Sequence, residues 1–258
     1  MKNIDFNFIA DLYDTYVKVD FDVDFFNKLS KECKGKCLEL MCGTGRISMP
    51  LLKQNVDLTC VDYSEEMLNV FRKKARELNI APRIICQDVC NLDLSEEYSL
   101  IFIPFNSFSE ITDVKKQEEA LIKIYQHLEN DGTFICTFYN PEQRIKTADG
   151  QLRILGNYQI NQSKNLIVSY YNQYDNMNNN VTGIQFYETY DSNNKLIDKR
   201  FLDIRFSLVK KEDFIRMVEN TGFVVKEIYG DYNFSPFNET SNYMNFILKK
   251  SNPFHVKK

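Results

Sequence analysis

The 258-residue chain is 43% hydrophobic and 26% charged with a net charge of −4, a composition that belongs to packed globular proteins. Its longest positive clusters are pairs such as Lys73-Lys74 and Lys249-Lys250, which argues against nonspecific nucleic-acid binding as the main activity. No apolar run approaches the roughly 20 residues of a membrane helix, and the acids within residues 1–14 break the pattern of a signal peptide.

Cysteine usage points the same way. Seven Cys is an odd number, and Cys60, Cys86 and Cys136 sit inside strand-like runs. Buried thiols in a reducing cytosol account for them, so a cytoplasmic location is expected. Cys33 and Cys37 flank Gly35. A zinc site there would need two more ligands, and His127 and His255 are the only histidines, so no metal is expected.

Taken in order, residues 6–17 place Phe6, Ile9, Tyr13 and Tyr16 on one side of a helix. A second helix at 23–32 carries Val23, Phe25, Phe26 and Leu29. Strands and helices then alternate. The spacing predicts strands at 37–41, 57–61, 82–86, 100–103 and 133–138. Helices are predicted at 46–54, from a cap at Ser64 to about 78, and at 114–128, and Asn130-Asp131-Gly132 is read as the turn into the fifth strand. This alternation implies a parallel, doubly wound sheet.

From about 150 to 208 the helical period disappears. Strand-like runs at 151–155, 165–174, 182–190 and 200–208 are separated by Asn- and Asp-rich turns. An antiparallel insertion of three or four strands is expected. A helix at 211–221 stopped by Gly222, and strands at 223–229 and 245–248, complete the pattern. The expected organisation is a single domain: an N-terminal helical cap (1–35), a core (37–140), the β insertion (150–208) as a lid, and a final helix and hairpin (209–250).

The chemistry gathers at strand ends. Glu39 precedes a turn holding Gly43 and Gly45, Asp62 directly follows the second strand, Asp88 follows the third, and Pro104-Phe105-Asn106 follows the fourth. In a parallel sheet these ends share one edge, where ligands bind. Asp62 lies about 20 residues past the glycine turn, a spacing at which a carboxylate takes ribose hydroxyls. The third position of a dinucleotide fingerprint is Ser48, not Gly, and a P-loop Lys is missing. The turn therefore suits a nucleoside without a pyrophosphate. Taken singly, each acid has a structural account: Glu39 as a backbone cap, Asp62 as a helix N-terminal acid, Asp88 as a turn residue.

In combination these motifs resemble the class I S-adenosylmethionine-dependent methyltransferases. Glu39-x-x-Cys42-Gly43-Thr44-Gly45 is similar to the first motif of that family, Val61-Asp62-Tyr63-Ser64-x-x-Met67 to the second, and Gln87-Asp88-Val89 to the third. The resemblance covers about residues 37–140. It implies a Rossmann-like, doubly wound, seven-stranded α/β sheet. It also implies S-adenosyl-L-methionine as cofactor and S-adenosyl-L-homocysteine as product. Cofactor contacts are then expected from Tyr13, Glu39, Gly43, Gly45, Arg46, Asp62, Tyr63, Met67, Asp88, Val89, Pro104 and Phe105. Asp62 would hold the ribose, Met67 would lie against adenine, and Asp88 would meet the adenine amino group.

The segment from Pro104 to Phe108 departs from the Asn/Asp-Pro-Pro-Tyr/Phe pattern of nucleic-acid amino methyltransferases. A small polar acceptor methylated on N or O is expected, with no nucleic-acid or membrane partner. Tyr13 and Asn106 are the catalytic candidates. Asn106, Phe108, Tyr139, Arg144, Tyr171 and Glu188 are candidate acceptor contacts, with Arg205 and Asp231 as further possibilities. His127 is read as lying on the outer part of its helix. A nicotinamide-dependent oxidoreductase on a similar sheet and a non-catalytic nucleoside-binding protein are the alternatives. The sequence leaves the acceptor and the oligomeric state open.

Overall fold

The computed structural model describes residues 4–250; His255 lies outside them. A seven-stranded sheet forms the centre. It contains β1 (Cys37–Leu40), β2 (Leu58–Asp62), β3 (Arg83–Cys86), β4 (Tyr98–Ile103), β5 (Leu128–Tyr139), β10 (Phe223–Tyr229) and β11 (Tyr243–Lys250). The strand order is β10-β11-β5-β4-β1-β2-β3. All neighbours run parallel except at β11, which is antiparallel to both β5 and β10. The chain winds outward from β1 to β3 and then returns to β4 on the other side of β1. The crevice above β1 and β4 is therefore the switch point at which such sheets bind ligands.

Seven helices accompany the strands among the described residues. They are α1 (Ala10–Tyr16), α2 (Val23–Glu32), α3 (Ser48–Leu52), α4 (Glu65–Glu77), α5 (Val114–His127), α6 (Pro141–Ile145) and α7 (Lys211–Thr221). Two hydrophobic layers cover the sheet. One gathers Ala120, Leu121 and Ile124 of α5 and Phe214 and Val218 of α7 over Ile101, Phe134 and Phe246. The other packs Phe26 of α2, Leu51 of α3 and Phe71 of α4 against Cys60, Leu100 and Phe102. Phe26 stacks on Phe102 with centroids 5.0 Å apart. Burying each such ring contributes about 1.5–3 kcal/mol. The sheet is dry on both faces, which is why β1, β2 and β4 read as continuous apolar runs rather than alternating ones.

The insertion is a separate four-stranded antiparallel sheet of β6 (Asp149–Asn161), β7 (Lys164–Asp175), β8 (Asn180–Asp191) and β9 (Leu196–Ser207). All four predicted strands are present and longer than expected. One face buries Leu166, Val168, Tyr187, Leu202 and Ile204 against Ile4, Ile9 and Leu12. Arg200 of β9 also grips α1, donating to Asp11 Oδ1 at 2.6 Å and to the Phe8 carbonyl at 2.9 Å. At its far end Ser207 donates to the Ser109 carbonyl and accepts from Gln117 Nε2. The insertion and the N-terminal segment are thus packed together, and the last insertion strand is tied to the turn that follows β4.

Two expectations need correction. β5 starts at Leu128, before the predicted turn: Leu128 pairs with Tyr98, and the register shifts before Thr133 pairs with Leu100. Asp131, with φ 64°, sits in this irregular stretch, so the turn residues are absorbed as an interruption of the strand. The short helix α6 lacks an apolar period long enough to be seen, although Asn140 caps it and Pro141 opens it.

The β1–α3 turn depends on Gly45. Its φ is +81°, and a Cβ there would lie 2.6 Å from the Phe71 ring, so both backbone and packing require glycine. Gly45→Ala is expected to destabilise the protein by about 2 kcal/mol or more. Urea unfolding of the two proteins checks this.

Candidate active site

β1 ends at Leu40, and the chain then turns through three left-handed residues, Met41, Gly43 and Gly45. The turn is stitched to β2 by one side chain. Asp62 Oδ2 accepts the Gly43 N–H at 2.8 Å, and Oδ1 accepts the Ser64 N–H at 2.9 Å. Asp62 is buried, and burial pushes its pKa up against the opposing pull of the Ser64, Gly43 and Tyr63 amides. Ser64 caps α4 by accepting the Met67 N–H. It also donates its hydroxyl to Asn7 Oδ1 at 2.7 Å.

Glu39 is buried on β1 and accepts the Ser48 hydroxyl at 2.5 Å. The residue that replaces the third fingerprint glycine thus holds the motif acid in place. Burial pushes the Glu39 carboxyl up to about 8, with the Ser48 hydrogen bond and Arg46 opposing and Asp22 and Asp62 adding to it. Arg46 forms a bidentate pair with Asp22, at 2.5 and 2.6 Å, and its guanidinium lies 4.4 Å from the centre of the Phe105 ring. Asp22 is fully buried, so the N-terminal segment, the glycine turn and the β4 turn meet at one cation. Thr44 adds a second tie by donating to Asp14 Oδ1 at 2.6 Å.

After β4, Pro104 leads into two consecutive left-handed residues, Phe105 (φ 57°) and Asn106 (φ 62°). Such conformations cost about 1–2 kcal/mol per non-glycine residue, and they cluster at functional sites. The Asn106 N–H donates to Thr137 Oγ1 at 3.2 Å, while its buried amide oxygen and nitrogen have no partner among the described residues. Tyr13 packs edge-on against Phe6 and Tyr16. Burial first, and then the Glu110 charge, push its hydroxyl pKa well above the ordinary value, with Arg46 opposing.

A cleft opens at this edge, lined by Met41, Asp62, Tyr63, Asp88, Val89 and Glu110, with Lys116 on the same wall. Tyr63 donates its hydroxyl to the Ile4 carbonyl. Asp88 Oδ1 accepts the Cys90 N–H at 2.9 Å. The Glu110 carboxyl is pushed up to about 8, by burial first and then by Asp62.

The structure therefore brings Tyr13, Glu39, Gly43, Gly45, Arg46, Asp62, Tyr63, Asp88, Val89, Pro104, Phe105 and Asn106 to one sheet edge. Tyr139 and Arg144 stand at the end of β5, with the guanidinium 5.5 Å from the ring centre and Tyr139 stacked on Tyr243.

Other expectations do not hold. Met67 is buried, with its methyl closing on Gly43, and Met41 is the methionine on the cleft wall. Phe108 is fully buried between Phe138 and Phe214, a core contact rather than an acceptor contact. Tyr171 and Glu188 lie on the insertion face opposite buried Val168 and Tyr187, because side chains alternate along paired strands. Glu188 pairs with Lys199 there. Arg205 is exposed on β9, and Asp231 is used within its own turn, accepting the Asn233 and Ser235 N–H groups. His127 is buried: its Nε2 accepts the Leu94 N–H and its Nδ1 bonds the Lys123 carbonyl. The last turn of α5 packs on the 92–94 segment, which a helix-face reading could not foresee. Sequence reasoning also missed Asp22 and Glu110. Glu110 did have a signal, since it follows the carboxyl end of β4, the edge on which ligands collect.

Residues 37–132 match the family model described as a methyltransferase domain. Among curated proteins it is 32% identical over 111 residues to a carboxy-S-adenosyl-L-methionine synthase of Nautilia profundicola, covering 43% of this chain and 46% of that protein. It is 26% identical over 149 residues to a glycine/sarcosine N-methyltransferase of Parasynechococcus marenigrum, covering 57% and 53%. The chain thus spans about half the length of these curated relatives. The whole fold resembles an S-adenosylmethionine-dependent methyltransferase from Clostridium acetobutylicum, with TM-score 0.78 and 20% identity over 96% of this chain and 99% of that one. The stretch matched by the family model runs from β1 to the early part of β5 and supplies Glu39, the glycine turn, Asp62 and Asp88.

Glu39 gives this site a pH signature. Below about pH 4.5 the folded and unfolded chains both hold its proton; between there and about 8 only the folded chain does. Stability therefore falls as pH rises through that window. Glu39→Gln is expected to flatten the slope, measured as unfolding free energy from pH 5 to pH 8.5.

Proposed function

We propose that this methyltransferase domain transfers a methyl group from S-adenosyl-L-methionine to N or O of a small polar molecule. The observation that carries the reading is that two motif acids, Asp62 and Asp88, line one cleft, with the glycine turn tied to its edge through Asp62. Asp62 reaches across to the Gly43 amide, and Asp88 and Val89 form the opposite wall. The residues fit the cofactor. A cleft with Asp62, Asp88 and Glu110 on its walls suits a cationic sulfonium better than a pyrophosphate. Gly43, with no Cβ, leaves room for close approach to the turn.

In this reading Glu39 and the β1 turn hold the amino-acid end, Asp62 and Tyr63 hold the ribose side, and Asp88 with the Val89 N–H holds adenine. The donor supplies an activated methyl on sulfur, and transfer is a displacement by the acceptor's lone pair. The chain's part is to orient the two and exclude water. Arg46, fixed by Asp22, and Phe105 shape the wall below the acceptor. The unpartnered Asn106 amide is available to an acceptor N–H or O–H, and buried polar groups of that kind favour a ligand that completes them. Tyr13 and the insertion form a lid, with Tyr139 and Arg144 at its rim. The glycine/sarcosine N-methyltransferase similarity favours an amine among the two acceptor types. An oxidoreductase reading loses its footing at Ser48, whose side chain is committed to Glu39.

Titration calorimetry with S-adenosylhomocysteine tests the donor. Binding by the wild-type protein is expected, weakened at least tenfold in Asp62→Ala. That variant loses both a nucleoside contact and the tie to Gly43, about 1.5–3 kcal/mol for a charge-assisted hydrogen bond. An absence of binding by the wild-type protein would overturn the reading.

A further inference from the structure

Glu110 lies outside all three motifs, yet it stands on the cleft wall with Asp62, Tyr63 and Asp88. Its neighbours each already hold a backbone group. Each Asp62 oxygen accepts a backbone N–H, from Gly43 and from Ser64. Asp88 Oδ1 accepts from Cys90, and the Tyr63 hydroxyl donates to Ile4. The Glu110 carboxyl makes no hydrogen bond or ion pair with another described residue. Its charge nevertheless reaches the Tyr13 and Tyr63 hydroxyls, and the Asp62 charge reaches Glu110. The carboxyl thus shares its stretch of cleft wall with Asp62 and Tyr63 at the end of β2.

The backbone that carries Glu110 is held firmly. It ends the short turn Ser107–Glu110, whose Ser109 carbonyl accepts the Ser207 hydroxyl. The following Ile111 carbonyl accepts Gln117 Nε2 at 2.6 Å. A partly buried carboxyl without a partner, on a fixed backbone in a cleft, is costly unless a ligand satisfies it.

We propose that Glu110 is a second carboxyl contact of the nucleoside ribose, accepting one hydroxyl from across the cleft while Asp62, which keeps a lone pair on each oxygen beyond its backbone bonds, accepts the other. The inference rests on the donor reading given above. An ionised carboxylate accepts on both oxygens and forms the stronger, charge-assisted bond, whereas the amide of Gln accepts on one oxygen and brings a donor to the other position. Asp62 then serves both as the stitch between β1 and β2 and as one ribose contact, and Glu110 takes the other end of the diol.

The test pairs protein and ligand changes. Wild type, Glu110→Gln and Glu110→Asp are titrated with S-adenosylhomocysteine and with its 2′,3′-dideoxy analogue. Glu110→Gln is expected to weaken S-adenosylhomocysteine about tenfold, with Glu110→Asp between it and wild type. Neither substitution should change binding of the dideoxy analogue by more than about twofold, because the lost contact is already missing from that ligand. A Glu110→Gln protein that binds S-adenosylhomocysteine as wild type does, or that loses the same factor for both ligands, overturns the proposal. If wild type binds neither ligand, the donor reading falls and this proposal with it.

Discussion

The two hydrogen bonds accepted by Asp62 are the constraint on which the site depends. A carboxylate at the end of β2 reaches to Gly43 beyond β1 and to Ser64 at the head of α4. These bonds add to the Cys42 N–H bond to the Val61 carbonyl and the Thr44 bond to Asp14 in restraining three left-handed residues in a row of five. With them, the glycine turn, the second strand and the α4 cap become one rigid unit. Burial raises the Asp62 pKa while amide donors lower it. The carboxylate is therefore a buried charge made tolerable by backbone dipoles rather than by a salt bridge.

Around that stitch the electrostatics are lopsided. Glu39, Asp62, Asp88 and Glu110 crowd one edge, and Arg46, the buried cation among them, is already neutralised by Asp22. Burial first, with the Asp62 charge adding to it, raises the Glu39 and Glu110 carboxyls in the empty fold. A fold that tolerates this field is prepared for a positive ligand. The negative edge and the absence of a pyrophosphate cradle at the glycine turn both favour a sulfonium nucleoside.

Much of this was legible in the sequence, for physical reasons that differ by element. β1, β2 and β4 stand out because both faces of the sheet are covered. α4 and α7 announce themselves through Ser64 as an N-cap and Gly222, with φ 105°, as a C-cap. The glycine turn and its acids follow from the rule that parallel strands end on one edge. Side-chain orientation was harder to read. Tyr171 and Tyr170 differ by one position, and the strand register decides which faces the core. Phe108 and Asn106 are two apart on a short turn, yet one is sealed by Phe138 and Phe214 while the other is left with unmet hydrogen bonds. Asp22 could not be picked out either, because its partner Arg46 lies 24 positions away.

The left-handed pair Phe105 and Asn106 sets a limit on how this protein can be improved. Glycine at either position would relax the backbone and raise stability on that count. It would also remove the ring beneath Arg46 or the buried amide beside the cleft. Consensus-style stabilisation would therefore select against the features that give the β4 turn its shape. Strain at this turn and the shape of this edge are coupled, and a variant chosen for heat resistance alone would drift toward a relaxed turn that no longer holds Phe105 and Asn106 in place.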